Sequence, residues 1–317
     1  MDKILEVKNL KKYYKTKNGI IKSVNDVSFD LYKGETLGIV GESGSGKSTI
    51  ARTISRLVDA TDGKIIFNGE NVLKYGKKQL REYRKNLQMI FQDPYSSLNP
   101  RMTCYEIIAE PLVNLTKLNK KQVDEKVKKV AELSGLSLHH LKRYPHEFSG
   151  GQRQRIMIAR SLIIDPKIII ADEPTSALDV SIQAQIINLL EDLKKELGLT
   201  TIFISHDLAV VEHISDRVAV MYLGEIVEIG DADKIFYNPQ HSYTKRLIAS
   251  IPAKDPFDKE DRRILKKDFS KKEEDDNICI IAGKCENATE ICRSEKPELV
   301  EIEENHSVKC HKKTPFK

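Results

Sequence analysis

The segment Gly41-Glu42-Ser43-Gly44-Ser45-Gly46-Lys47-Ser48 sets three glycines, a lysine and a serine at the spacing of a loop that wraps phosphate. The glycines let backbone N–H groups converge, and Lys47 adds a point charge towards β- and γ-phosphates. The N-terminus of a helix expected to begin near Lys47 adds its dipole, and the Ser48 hydroxyl suits Mg²⁺. Thr49, next in that first turn, joins the phosphate-facing candidates. Further on, Ile168-Ile169-Ile170-Ala171-Asp172-Glu173 is an apolar run ending in two carboxylates. That places Asp172 and Glu173 at the carboxyl edge of a sheet, where ligands bind. Alternation along the chain points them differently, so Asp172 suits the Mg²⁺ sphere and Glu173 can orient and deprotonate a water in line with the γ-phosphate. Alone, such a pair is more often two solvated strand-end charges; the phosphate loop upstream reverses that weighting. Phe148-Ser149-Gly150-Gly151-Gln152 opens a helix with a capping serine and two glycines, a second place where N–H groups could grip phosphate. A single nucleotide cannot easily use both loops of one chain.

These residues need an α/β frame, and the hydrophobic periodicity supplies one. Short β-rich runs fall at Ile4 to Val7, Val24 to Leu31 and Thr36 to Val40, with similar runs at Ile65 to Asn68 and Asn86 to Phe91. Val123, Val127, Val130 and Leu133 repeat at helical spacing, which predicts a helix over Lys120 to Ser134 stopped by Gly135. A second helix is expected from Gly150 to Ile164, capped by Ser149 and ended by Asp165-Pro166. The strand Lys167 to Ala171, a helix near Ser181 to Leu197 ended by Gly198, and the strand Thr201 to Ser205 follow. Strands alternating with helices imply parallel βαβ units.

At 317 residues the chain can hold two domains, or one large domain with an extension. Hydrophobic residues at 40% and charged residues at 31% fit a globular protein rather than a disordered one. No run approaches the roughly 18 apolar residues of a membrane helix and no signal peptide is visible, so a membrane role is expected to come through a separate chain. The net charge of +5 is modest and spread along the sequence, which neither supports nor excludes nucleic-acid binding. Composition changes after about Phe236, and Asp255 to Asp276 is crowded with charges of both signs, as in a solvated linker. Beyond it lie Cys279, Cys285, Cys292 and Cys310, while Cys104 stands alone and reads as a small buried hydrophobe. Clustered cysteines without an export signal suggest metal ligation more than disulfides.

At Phe148-Ser149-Gly150-Gly151-Gln152 the chain resembles the ABC ATPase family, whose signature usually begins with Leu where Phe148 stands here. Other family motifs occur in order: Gln92 in Phe91-Gln92-Asp93, Ser176-Ala177-Leu178-Asp179, and His206 after the strand Thr201 to Ser205. The resemblance implies a P-loop ABC core with a mixed, largely parallel sheet, an antiparallel β subdomain and an α-helical signature subdomain at about 97–165. It divides the chain into an ATPase domain, 1–235, and a cysteine-containing extension, 236–317. It implies ATP and Mg²⁺ as ligands, with Gln92 touching Mg²⁺ and sensing the membrane partner. His206 would contact the γ-phosphate, Asp179 would lie on a loop crossing the dimer interface, and Tyr14, or failing it Tyr13, would stack on adenine. In that family the signature of one subunit closes over ATP held by the phosphate loop of another, so a head-to-tail homo- or heterodimer is implied.

Phe91-Gln92-Asp93-Pro94-Tyr95-Ser96-Ser97-Leu98-Asn99-Pro100-Arg101 and Asn238-Pro239-Gln240-His241-Ser242-Tyr243-Thr244 narrow the likeness to oligopeptide and dipeptide importer ATPases, and within them to the second, F-type, subunit. Ser242 departs from the usual His-Pro-Tyr. The resemblance implies a peripheral protein on the cytoplasmic face of the membrane, with two permease chains as partners, a solute-binding protein engaged indirectly and no nucleic acid. Related importers carry nickel or oligosaccharides, and a soluble ABC ATPase acting on nucleic acid or ribosomes is the rival reading. The cysteines are separated by five, six and seventeen residues, which matches neither the close pairs of zinc sites nor the ferredoxin patterns. They resemble the C-terminal motif of peptide-importer ATPases, in which four thiolates can hold a [4Fe–4S] cluster. Zinc, unligated thiols and an electron-transfer or iron-sensing tail are the alternatives.

Overall fold

The computed structural model describes residues 2–17, 19–251 and 277–313. The charged stretch 255–276, expected to be a linker, lies outside the described residues. The chain opens with a long antiparallel pair, β1 (Lys3–Thr16) and β2 (Gly19–Tyr32). Then β3 (Thr36–Val40) runs into α1 (Lys47–Ile54). Next, β4 (Asp62–Phe67) and β5 (Glu70–Asn71) return to β1, giving a four-stranded antiparallel sheet in the order β2-β1-β4-β5. α2 (Lys77–Asn86) leads into β6 (Leu87–Ile90), and a short α3 (Pro94–Ser97) follows.

A helical layer comes next, and its starts are written as caps. α4 (Cys104–Leu115) begins at Thr103, whose side chain and Glu106 form a reciprocal capping box. α5 (Lys120–Leu133) is capped by Asn119 and buries Val123, Val127 and Val130 on one face, while α6 (Gly150–Leu162) is capped by Ser149. α6 ends two residues before the expected Ile164. β7 (Ile168–Asp172), α7 (Val180–Leu197, ended by Gly198) and β8 (Thr200–Ile204) match the expected elements to within a residue or so. α8 (Leu208–Ile214), β9 (Arg217–Tyr222), β10 (Glu225–Asp231), α9 (Ala232–Tyr237) and α10 (Ser242–Ala249) complete the part before Cys279.

The second sheet has β3, β6, β7, β8 and β9 parallel, and its centre is buried on both faces. The period of two is visible in β7. Ile168 and Ile170 pack into the cluster that holds Leu37, Ile39, Ile50 and Ile54, on the α1 side. Ile169 packs with Ile158 of α6 and Ile186 of α7 on the other. Each such isoleucine contributes about 1.5–3 kcal/mol relative to exposure. Asp172 shares the parity of Ile168 and Ile170, so the same alternation that builds the core aims its carboxylate at α1. No helix among the described residues is long and apolar enough to cross a membrane.

β5, β9 and β10 were not anticipated from the sequence, and neither were two strands further on. β11 (Leu299–Glu303) and β12 (His306–Lys309), beyond the cysteines, join the main sheet because β12 pairs antiparallel with β10. The order becomes β11-β12-β10-β9-β3-β8-β7-β6. Buried charge fixes this junction. Glu225 accepts from Lys309 at 2.7 Å, Lys296 at 2.5 Å and the Asn25 side chain at 2.8 Å. Glu228 lies 2.7 Å from His306, both wholly buried, and takes the amides of Gln240 and His241. Burial would push Glu228 up, but these hydrogen bonds, led by His306, hold it below the usual carboxylate range.

Burial pushes His241 down to about 4, against Glu228 and with help from Lys309. In its neutral form His241 accepts the Tyr243 N–H at 3.3 Å and caps α10. As pH falls from about 6.5, an unfolded histidine binds a proton that the folded one refuses until about pH 4, so stability is lost across that window. Burial opposes protonation of His306 too, but Glu228 and Glu303 outweigh it, so the His306 contribution is lost only as pH rises above 6.5. His241→Asn keeps a capping acceptor and does not titrate. It is expected to flatten the decline of melting temperature between pH 6.5 and 4; an unchanged slope would assign that decline to other groups.

Candidate active site

The loop after β3 closes on itself because two glycines allow backbone to pass where a side chain cannot. At Gly46, with φ of 103°, a Cβ would sit 2.1 Å from the Ser23 carbonyl; at Gly41 it would sit 2.2 Å from the Met221 carbonyl. α1 starts at Lys47 with no side-chain cap, which leaves its first N–H groups directed at the loop. Lys47 is buried, and its ammonium donates to the carbonyls of Gly41 at 2.7 Å and Glu42 at 2.9 Å. Burial lowers its pKa, with Glu173, Asp172 and Glu42 opposing. The Ser48 hydroxyl donates to Asp172 Oδ1 at 2.8 Å, and burial raises Asp172 despite that bond.

Gln92, Glu173 and His206 follow β6, β7 and β8, three neighbouring parallel strands that end at the same edge. Topology therefore gathers residues that lie 33 and 81 positions apart: Gln92 Nε2 donates to Glu173 Oε2 at 3.0 Å, and His206 Nδ1 lies 3.2 Å from the same oxygen. Glu173 itself has φ of 49° and its N–H is held by the Ile204 carbonyl at 2.9 Å. A left-handed non-glycine residue is strained, and such strain clusters at functional sites. The resulting cleft, of about 490 Å³, is lined by Ser43, Gly44, Gly46, Lys47, Ser48 and Thr49 on one side and by Gln92, Glu173 and His206 on the other. The oxygens of Ser48 and Asp172 are adjacent and are hard donors of the kind that Mg²⁺ takes.

Other expected site residues lie outside this lining. Ser149 and Gln152 cap α6 reciprocally, and Gly150 and Gly151 abut Leu178 and Ile182. Asp179 starts α7. Tyr14 lies on β1, about a third exposed, with the Lys12 ammonium 4.8 Å above its ring, while the Tyr13 hydroxyl donates to Asn25 at 2.6 Å. Ser23 lines the cleft and was missed, because nothing on β2 marks it; its hydroxyl shares a 2.8 Å hydrogen bond with Thr49.

The profile of the ABC transporter family matches residues 24–176, and that of the oligopeptide/dipeptide transporter C-terminal region matches 227–292. The oligopeptide transport ATP-binding protein OppF of Bacillus subtilis is 56% identical over 268 residues, 84% of this chain and 88% of that protein. The chain belongs to the ABC ATPase family of oligopeptide/dipeptide transporters. OppF of Haemophilus influenzae is 50% identical over 97% of this chain and 93% of its own length. A dimeric post-hydrolysis structure of the ATP-binding cassette MJ0796, bound to ADP and Pi, superposes with a TM-score of 0.67 at 29% identity, covering 72% of this chain and 99% of that one. This ABC ATPase accordingly carries the P-loop α/β fold expected of it and is an ATP-hydrolysing enzyme.

The expectation of an iron–sulfur cluster in the ABC ATPase's extension is corrected. Cys279, Cys285, Cys292 and Cys310 do line one cavity of about 270 Å³. Among the described residues, however, no group of three or more His, Cys, Asp or Glu side chains could hold a metal ion. Burial pushes the Cys279 thiol up to about 11 and also raises Cys310. The Cys285 and Cys292 sulfurs instead sit 3.2 and 3.3 Å from the hydroxyls of Ser242 and Thr289. All five cysteines are free, and Cys104 is wholly buried.

Proposed function

We propose that this chain is the ATP-driven motor of a peptide importer, in which ATP lies against the amides of Ser43 to Thr49 with Lys47 at its β- and γ-phosphates. Mg²⁺, when bound, would neutralise developing phosphate charge from a sphere that includes Ser48, Asp172 and Gln92. Glu173 accepts the proton of the attacking water. Gln92 and His206, both bonded to its carboxylate, hold that carboxylate in place and report the γ-phosphate. Tyr14 supports adenine from β1.

One observation carries the assembly. Ser149 to Gln152, with the N–H groups of α6, do not line the cleft formed by the chain's own phosphate loop. A second copy or a similar ATPase, arranged head to tail, brings its signature over that cleft, and Asp179 lies at the crossing. The pair docks on two permease chains at the cytoplasmic face of the membrane. In this reading residues 1–235 are the ATPase domain, with the signature subdomain at about 97–165, and 236–317 are the extension. The names of the OppF relatives supply the solute class. Deleting the gene is expected to abolish uptake of a labelled oligopeptide, restored by the wild-type chain and not by Glu173→Gln. Undiminished uptake in the deletion strain would overturn the transport role.

A further inference from the structure

The phosphate loop is held from outside the ATPase core. Tyr243, near the start of α10, is fully buried, and its hydroxyl accepts the N–H of Glu42 at 3.1 Å across 201 positions of sequence. Glu42 is the second residue of the loop, and the cleft begins after it at Ser43. The peptide unit that joins Gly41 to Glu42 is thus gripped at both ends. Its amide is fixed by the tyrosine, while the carbonyls of Gly41 and Glu42 take the Lys47 ammonium. Once Lys47 turns to phosphate, those carbonyls lose their donor, but the Tyr243 bond is independent of Lys47.

Tyr243 is itself braced. Its ring packs on Tyr222, with centroids 4.5 Å apart, at the end of β9 beside the Met221 carbonyl that Gly41 approaches. The β9–β10 turn also reaches the loop, through Gly224 N–H to the Ser45 carbonyl at 2.9 Å. Burial keeps the Tyr243 hydroxyl protonated by raising it above its ordinary value.

We propose that Tyr243 is a positioning residue for nucleotide binding: from the extension it fixes the Glu42 amide, and with it the direction in which the following amides meet phosphate. The proposal rests on the phosphate-site reading above. Tyr243→Phe removes only the hydroxyl. In the full-length protein it is expected to weaken MgATP and MgADP binding about 3- to 10-fold, the scale of one hydrogen bond, raising KM while leaving kcat within about twofold. Tyr222→Phe, which keeps the neighbouring ring and removes the hydroxyl to which Lys284 donates at 3.3 Å, should bind as wild type. A purely structural tyrosine would lower the melting temperature and leave affinity untouched, and that result overturns the proposal provided Lys47→Ala loses nucleotide. Wild-type affinity in Lys47→Ala would instead sink the phosphate-site reading. Should Tyr243→Phe fail to fold, hydrogen exchange of the nucleotide-free wild type decides. The Glu42 amide is expected to be protected, and exchange at the rate of an open amide would overturn the proposal.

Discussion

Glu173→Gln is expected to lower ATP turnover at saturating ATP by about 10²-fold or more while ATP binding persists. The substitution keeps size and shape, and glutamine meets the left-handed backbone at φ 49° on the same terms as glutamate. The loop should therefore stay in place, held by the Ile204 carbonyl. What is lost is the proton acceptor, together with the charge that Gln92 and His206 address at a single oxygen. Single-turnover hydrolysis measured beside equilibrium nucleotide binding separates the two effects. Normal turnover would place the base elsewhere; loss of binding would mean that Glu173 organises the cleft rather than the water.

Lys47→Ala is expected to cost about 10- to 100-fold in ATP affinity, the range of a charge-assisted hydrogen bond. The side chain is desolvated, which lowers its pKa, and it donates to two carbonyls of its own loop. A triphosphate offers it a stronger partner than those carbonyls do. Removing a buried cation also relieves desolvation, so the melting temperature without nucleotide should move little. Titration with a fluorescent ATP analogue checks the first statement and calorimetry the second. Unchanged affinity would remove the loop from the binding site.

Much of the site was legible because its determinants are local. The phosphate loop is an eight-residue pattern between a strand and a helix, and the carboxylates end a strand whose isoleucines are all buried. Ser149 and Gly198 mark their helix ends in sequence as they do in space. α4 was not anticipated, although Thr103 and Glu106 announce its start as a capping box. Contacts of long range left no such trace. The Glu42 amide and Tyr243 meet only once the sheet is assembled, as do β12 and β10, and Ser23 is a serine in a strand until α1 is packed beside it. The cysteines misled for a related reason: spacing along the chain does not report how side chains converge in space, and among the described residues no group of three or more His, Cys, Asp or Glu could hold a metal ion.

The pairing of β12 with β10 sets an order on biosynthesis. β12 is the last described element to leave the ribosome, yet it covers the edge of the sheet that carries the nucleotide cleft. Until it arrives, β10 presents an unpaired edge beside Ile226 and Ile229, and Glu225 and Glu228 lack Lys309 and His306. A chain that stops short of Lys309 would therefore leave open a row of unpaired N–H and C=O groups, a template for pairing with other chains.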